Sequence, residues 1–295
     1  MVGKAEDSTR ADESMRDEES ASGVGSLYVV STPIGNLRDL SLRAIDVLRG
    51  VDLILAEDTR HSRHLLTHHE IRTPMLSYHE HNEARATVAA ITRLREGRDV
   101  ALISDAGTPL VSDPGARLVK AAAEAGLPVV PVPGASALLA ALVASGLSSD
   151  RFTFFGFLPR KGRERDDALR ELSGLRHTGV LYEAPGRVGG TLGDLVQHGA
   201  GSRNAVVARE LTKQFEEIRR GTVAELEAYY RATAPRGEVV IVLEGFTPQP
   251  LAEEQLRLRA RELRATGLST RDVAAALVRE DGAPRNLAYR LAHEA

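Results

Sequence analysis

The chain has 295 residues, 42% of them hydrophobic, with no cysteine and a formal net charge of −3. That length and apolar content support two cored domains, and the lack of cysteine excludes disulfides and thiolate metal sites and fits a reducing, cytoplasmic setting. The charge balance excludes a bulk basic coat for nucleic acid, so any RNA contact rests on local basic clusters, and no apolar run approaches the ~20 residues of a membrane span.

Residues 1–24 are polar and charged, without a signal-like apolar core, and are expected to form a disordered tail. Leu27 to Val30 reads as a strand, followed by the Gly/Pro loop Ser31-Thr32-Pro33-Ile34-Gly35-Asn36-Leu37. Ser41 caps a helix carrying Leu42, Ile45, Val47 and Leu48. Val51 to Ala56 is the next strand and ends in Glu57-Asp58-Thr59-Arg60. Two carboxylates and an arginine at a strand end form either a site or a capped helix start with exposed acids, because unpaired buried charge is costly. His61, Arg63, His64, His68, His69, His79 and His81 follow without carboxylates at zinc-like spacing. They read as polar surface, or with Arg60 as a face for phosphates.

Glu83 to Glu96 forms an amphipathic helix ended by Gly97. Asp99 to Ile103 is a short β-branched apolar run, a buried strand, and Ser104-Asp105-Ala106-Gly107-Thr108-Pro109-Leu110-Val111-Ser112-Asp113-Pro114-Gly115 connects it to a helix from Ala116. Asp113 is expected to N-cap that helix, with Pro114 in its first turn. Gly107 permits close backbone approach, and the glycine spacing fits neither a P-loop nor a dinucleotide fingerprint. Leu127 to Val132 is a further strand, and Pro133-Gly134-Ala135-Ser136-Ala137 leads into a helix N-terminus with free N–H groups. In a parallel sheet these strand-end loops share one rim, where α/β sheets bind ligands.

Gly146 to Asp150 reads as a boundary between an N-terminal domain, 25–147, and a second domain, 148–247. Phe152 to Leu158 opens the second domain, and Pro159 to Arg165 is a basic loop. Val180 to Tyr182 is a strand ending in Glu183-Ala184-Pro185-Gly186-Arg187, before a helix with Val188, Leu192, Leu195 and Val196. Ala205 to Lys213 is a strand running into charge, Phe215 to Gly221 its hairpin partner, Thr222 a helix cap and Gly237 to Glu244 a closing buried strand. Pro248 and Pro250 mark a linker to residues 251–295, which read as three helices. Leu256, Leu258 and Leu263 are expected inward on the first, Val273, Ala276 and Leu277 on the second, and Leu287, Tyr289 and Leu291 on the third. With Arg271, Arg279, Arg285 and Arg290 this end is a helix-turn-helix-like appendage or a dimer-packing tail.

The stretch from Ser104 to Gly115, SDAGTPLVSDPG, resembles the central motif of the tetrapyrrole-methylase superfamily. Together and in order, STPIGNL (31–37), EDTR (57–60), PGASA (133–137), FGFLP (155–159), YEAP (182–185) and ARELTK (208–213) resemble the ribosomal RNA small subunit methyltransferase I family, over residues 25–295. Corrin and sirohaem methylases carry a GxGPGDP-type first loop instead of STPIGNL and lack EDTR and ARELTK. The resemblance implies two α/β domains of the tetrapyrrole-methylase type with the ligand cleft between them, plus the helical appendage. It also implies S-adenosylmethionine-dependent 2′-O-methylation of a cytidine in the decoding region of 16S rRNA, within the small ribosomal subunit, by a cytoplasmic homodimer without metal or membrane. It assigns the donor to Asp105, Ala106, Gly107, Pro109, Asp113, Ser136 and Ala137, with Leu158, Ala184, Ala208, Gly237 and Glu238 walling the adenine. Glu57, Asp58, Arg60, Glu210 and Lys213 then face the RNA. Glu57, Asp58 and Glu210 are the candidate bases, and each alternatively pairs with Arg60 or Lys213 to set loop geometry. The competing readings are a tetrapyrrole C- or N-methylase and a non-catalytic RNA-binding module.

Overall fold

The computed structural model describes residues 23–247 and 251–295. The tail expected over residues 1–24 falls almost wholly outside the described residues, and so do Pro248 and Pro250 of the expected linker.

The first half is a parallel sheet with helices on its faces. In chain order it contains β1 (Leu27–Val30), α1 (Leu42–Gly50), β2 (Leu53–Ala56), α2 (Thr59–His68) and β3 (Met75–Ser77). It continues through α3 (Glu83–Arg95), β4 (Val100–Ile103), α4 (Ala116–Glu124), β5 (Val129–Val132) and α5 (Ala137–Ser145). The strand order is β3-β2-β4-β1-β5, every pair parallel. Every residue of β2 and β4 is buried, as continuous apolar runs require when helices cover both faces of a sheet. The sequence reading did not anticipate β3, because three residues at a sheet edge offer no alternation to detect.

The chain leaves β4 for β5 by crossing β1, so the loops after β1 and β4 flank the point where strand order reverses. These loops are tied by a two-residue antiparallel bridge: Thr32 N–H donates to Gly107 O at 2.8 Å, and Gly107 N–H to Thr32 O at 3.1 Å. A crevice at such a switch point is where open α/β sheets bind ligands.

The second half is a mixed sheet. It comprises β6 (Phe152–Phe157), α6 (Arg163–Gly174), β7 (Thr178–Glu183), α7 (Val188–Leu195), β8 (Asn204–Arg209), β9 (Glu217–Thr222), α8 (Val223–Ala232) and β10 (Val239–Leu243). The order is β6-β7-β10-β8-β9, with only β6 and β7 parallel. The expected hairpin of β8 and β9 forms, and Thr222 closes a capping box with Glu225 at the start of α8.

Helix α5 follows the first sheet in the chain but packs on the second. Its Ala141 and Leu142 share one buried cluster with Val180, Val206, Val240 and Val242. At its N-terminus the Leu138 N–H donates to the Tyr182 hydroxyl at 3.3 Å. A second strut joins the halves nearby, where Asn36 N–H donates to Thr212 Oγ1 at 3.1 Å. The two sheets therefore meet with functional loops facing each other.

The C-terminal helices α9 (Glu253–Ala265), α10 (Thr270–Glu280) and α11 (Arg285–Glu294) enclose a core of their own, including Leu256, Val273, Leu277, Ala288 and Leu291. The Arg176 guanidinium donates to the carbonyls of Arg279 and Glu280 and ties this unit to the second domain. Two sequence expectations fail here: Leu258 is 60% and Tyr289 45% exposed. Each lies two residues from a buried leucine, and a helix does not present positions i and i+2 on the same face.

Asp113 does not cap α4, contrary to expectation. Gly115 occupies the N-cap position with φ 131° and no side-chain cap, and this turn releases Asp113 toward the cleft. A Cβ at Gly115 would lie 2.6 Å from Leu102 Cδ2 and 3.1 Å from Leu110 Cδ1. Gly115→Ala should therefore destabilise the protein by about 1–3 kcal/mol, read as a lower urea midpoint. An unchanged midpoint would show that the loop relaxes without cost.

Candidate active site

A cleft of about 420 Å³ lies between the strand-end loops of the two halves. That size lies within the range of small-molecule sites. The first sheet contributes Glu57 from the end of β2, Asp105 to Thr108 and Val111 to Asp113 from the loop after β4, and Ser136 and Ala137 at the start of α5. The second contributes Phe157, Tyr182 to Pro185, Leu211 and Gly237 to Val240.

The loops hold one another. The Ser104 hydroxyl donates to Gly107 O at 3.2 Å, the Thr32 hydroxyl to Ser104 O at 3.1 Å, and the Thr108 hydroxyl to Ala135 O at 3.2 Å. Within this framework Leu110 and Ser112 take left-handed conformations, φ 73° and 68°, rare for residues with a Cβ. On the opposite rim Glu210 and Thr212 do the same, φ 50° and 66°. Such strain persists where surrounding contacts over-determine it, and it clusters at functional loops.

Three carboxylates converge on the first-sheet rim. Asp58 N–H donates to Asp105 Oδ1 at 3.0 Å, which fixes Asp105 beside the end of β2. Burial, followed by the Asp105 charge, raises the Glu57 pKa, against a hydrogen bond from the Asp105 backbone. Burial, followed by the Glu57 charge, pushes Asp113 up to about 6, against a hydrogen bond from Ser104. Among the described residues Glu57, Asp105 and Asp113 have no ion-pair partner, so this rim is negative and complementary to a cation.

The remaining expected residues occupy different places. Asp58 is the N-cap of α2: it accepts the Arg60 N–H at 2.8 Å and pairs with the exposed Arg60 guanidinium at 3.3 Å. Asp58 and Arg60 thus form the capped helix start, and they do not line the cleft. Glu210 is held below the usual carboxylate range, chiefly by the Lys213 hydrogen bond. Its carboxylate accepts Lys213 Nζ at 2.9 Å and Glu238 N–H at 3.1 Å, while Lys213 also donates to Glu238 at 3.0 Å. Burial acts to lower the Lys213 pKa, but these hydrogen bonds outweigh it and the net shift is upward. Glu210 and Lys213 therefore lie behind the Gly237–Glu238 wall rather than in the cleft. Gly237, φ 83°, is required there because the Glu210 carboxyl fills the space a Cβ would take.

Of the twelve positions expected around the donor, Asp105, Ala106, Gly107, Asp113, Ser136, Ala137, Ala184, Gly237 and Glu238 line the cleft. Pro109, Leu158 and Ala208 do not: Pro109 is buried within its loop, Leu158 belongs to the core on the helix-covered face of the second sheet, and Ala208 to the core between that sheet and α5. Residues that the sequence reading missed are mostly apolar. Ile34, Phe157, Tyr182 and Leu211 line the cleft, with Tyr182 edge-to-face against Phe154 and Phe157 at 4.9 and 5.6 Å. The position of Tyr182 at a strand end was the available signal. Glu183, also missed, is buried and satisfied: its carboxylate accepts the Ala184 N–H and the Thr191 hydroxyl and pairs with Arg187, an arrangement that shapes the turn carrying Ala184.

Residues 26–227 match the family model for Tetrapyrrole (Corrin/Porphyrin) Methylases. The chain is 47% identical over 274 residues to Ribosomal RNA small subunit methyltransferase I of Synechocystis sp., covering 92% of this chain and 98% of that one. It is 43% identical over 286 residues to the protein of the same name from Escherichia coli O157:H7, covering 95% and 99%. Among solved structures it resembles a diphthine synthase, with TM-score 0.61 and 14% identity over 75% of this chain and 90% of that one. It also resembles uroporphyrin-III C-methyl transferase from Thermus thermophilus complexed with S-adenyl homocysteine, with TM-score 0.55 and 20% identity over 75% and 97%. At these identities the two structures speak to fold alone.

The carboxylate cluster has a pH signature. The folded-state pKa of Asp113 lies above its ordinary 3.8, so its contribution to stability is full at low pH and is lost as pH rises through about 6. Asp113→Asn should therefore stabilise the protein at pH 7.5 by about 1 kcal/mol after allowance for solvent screening, read as a higher urea midpoint, with the difference gone near pH 4. A gain of equal size at both pH values would contradict charge repulsion as its source.

Proposed function

The chain belongs to the ribosomal RNA small subunit methyltransferase I family of the tetrapyrrole methylases, and from that membership we propose that it uses S-adenosylmethionine to methylate a cytidine 2′-oxygen in the decoding region of 16S rRNA. The observation that carries this reading is the cluster of Glu57, Asp105 and Asp113, three carboxylates without cationic partners on one wall of the cleft. We further take the acceptor to be rRNA within the small subunit and the working form to be a cytoplasmic homodimer.

The residues present fit such a donor. The Asp105 and Asp113 carboxylates suit its sulfonium and α-ammonium charges, and Ile34, Leu211 and Val240 offer an apolar wall to the adenine. When bound, S-adenosylmethionine supplies an electrophilic methyl group on a sulfonium that departs as a neutral thioether. The chain has to orient the 2′-hydroxyl behind that methyl and accept the proton as the O–C bond forms and the S–C bond breaks. Orientation can supply up to ~7–11 kcal/mol in well-aligned reactions, and a positioned base a further ~10²–10⁴-fold.

Among the candidate bases, Asp58 is committed to its helix cap and Glu210 to Lys213. Glu57 remains in the cleft with a raised pKa, closer to what a base working near neutral pH needs, and we assign it the proton. Asp58 with Arg60 and Glu210 with Lys213 then act as positioning pairs for the loops on either rim.

Three measurements test this. Calorimetry in excess chelator should show micromolar-range donor binding that weakens as pH falls through about 6, where Asp113 gains its proton. Gly107→Val should abolish that binding, because φ +83° and Ile34 at 3.3 Å leave a side chain no strain-free place. In single-turnover methylation of small-subunit rRNA, Glu57→Gln should lose ~10²-fold or more with donor affinity held within a few-fold. Methylation within a few-fold of wild type would remove Glu57 from the reaction.

A further inference from the structure

A second cavity, of about 220 Å³, lies on the second domain between β9, the C-terminal end of α8 and the loop leading to Gly237. Arg209, Glu217, Tyr229, Tyr230, Thr233 and Arg236 line it. The Glu217 carboxylate is held from both sides, by Arg209 at 2.7 Å and by Arg219 at 2.7 Å. The Arg219 guanidinium carbon lies 3.7 Å from the centroid of the Tyr229 ring, and its NH2 group donates to the Tyr229 hydroxyl at 3.1 Å. Tyr230 meets Tyr229 edge-to-face at 5.0 Å. The result is a fixed stack of guanidinium and phenol at the cavity wall, with Tyr229 39% exposed.

Charge and connectivity single this cavity out. Two arginines, Arg209 and Arg236, line it with one carboxylate, Glu217, which Arg209 and the neighbouring Arg219 already pair. Arg236 has no ion pair or hydrogen bond among the described residues. Arg236 directly precedes Gly237 and Glu238 of the cleft wall, and Arg209 directly precedes Glu210, which accepts the Glu238 N–H. Adjacent Cα atoms lie about 3.8 Å apart, so the Arg236 backbone adjoins the cleft wall. The register of Arg209, Glu217 and Val239 puts the cavity at the same end of the sheet as the cleft, on its helix-covered face.

We propose that this cavity takes one nucleotide of single-stranded RNA next to the nucleotide being methylated, its base against the Tyr229–Arg219 stack and its phosphate on Arg236. The assignment rests on the reading of the cleft as an RNA methyltransferase site. Proteins that recognise single-stranded RNA splay bases out onto aromatic and guanidinium planes, while lysine and arginine neutralise the backbone. A wall with one stacked platform and one free cation has both parts, and the cavity has the size of a base rather than of a whole nucleoside donor.

The test uses the full chain, a single-stranded RNA oligonucleotide carrying the acceptor sequence, small subunits and cytidine 5′-monophosphate. Arg236→Ala and Tyr229→Leu change exposed side chains outside both domain cores. Each should weaken oligonucleotide binding by roughly 5- to 100-fold, the range seen on losing one stacking or phosphate contact, with donor affinity unchanged. For Arg236→Ala the salt slope of binding should fall by ~0.7, one phosphate's worth on a single strand, and the loss should fall on KM for the subunit rather than on kcat. If wild type methylates rRNA and both variants keep RNA affinity and KM within two-fold, the cavity assignment is overturned and the methyltransferase reading stands. Wild type that binds donor but neither RNA nor subunits overturns both. Arg236-dependent binding of the mononucleotide with RNA affinity untouched assigns the cavity to a free nucleotide and also overturns the proposal.

Discussion

The packing of α5 on the second sheet is the constraint on which the rest depends. An almost wholly apolar helix, Ala137 to Ser145, emerges from the first sheet and buries Ala141 and Leu142 among valines of β7, β8 and β10. Burying each such side chain contributes about 1.5–3 kcal/mol for a leucine and less for an alanine, enough to hold two sheets in one relative position. Because the helix N-terminus also bonds Tyr182, the end of β7 is drawn against the Ser136 turn. Were the helix to detach, the Glu57–Asp105–Asp113 rim and the Tyr182–Ala184 wall would no longer enclose a common volume.

That geometry explains an asymmetry of charge. Acids at the rim margins have partners: Asp58 has Arg60 and a helix start, Glu210 has Lys213 and a backbone N–H, and Glu217 has two arginines. Of the acids lining the cleft, Glu183 pairs with Arg187 and Glu238 with Lys213, whereas Glu57, Asp105 and Asp113 have no ion-pair partner among the described residues. Burial, with their neighbours' charge, raises the pKa of Glu57 and Asp113. Leaving like charges together in a partly desolvated site costs stability, and a cationic ligand relieves that cost. Arg60, the Pro159–Arg165 loop and Arg236 stand outside the cleft lining.

Much of this was legible in the sequence for a physical reason. Buried parallel strands have to be short, continuous apolar runs, so Leu53–Ala56 and Val100–Ile103 announced themselves, and the loops that follow them were readable as strand ends. The ordered motifs named the family correctly. Other features depend on tertiary contacts that no local pattern encodes. Asp113 looked like a cap, but the φ of Gly115 turns it into the cleft. Leu158 and Ala208 sit in motifs that border the cleft, yet Leu158 packs into the core on the opposite face of the sheet, and Ala208, on the same face as the cleft-lining Val240 and Tyr182, is fully buried among its neighbours. Helix α5 reads as part of the first domain because its chain neighbours are there, whereas its apolar face finds the second sheet. Ile34, Phe157 and Leu211 gave no signal, since an apolar residue facing a ligand looks like one facing a core.

The central claim is that this cleft directs a methyl group to a ribose oxygen of small-subunit rRNA. The most direct measurement offers methyl-labelled S-adenosylmethionine in parallel with unmodified small subunits, bare 16S rRNA and uroporphyrinogen III, followed by nuclease digestion and mass analysis of the labelled product. The account predicts label in a single 2′-O-methylcytidine from rRNA and none in the tetrapyrrole. Label in the tetrapyrrole, or on a nucleobase instead of a ribose, would contradict it.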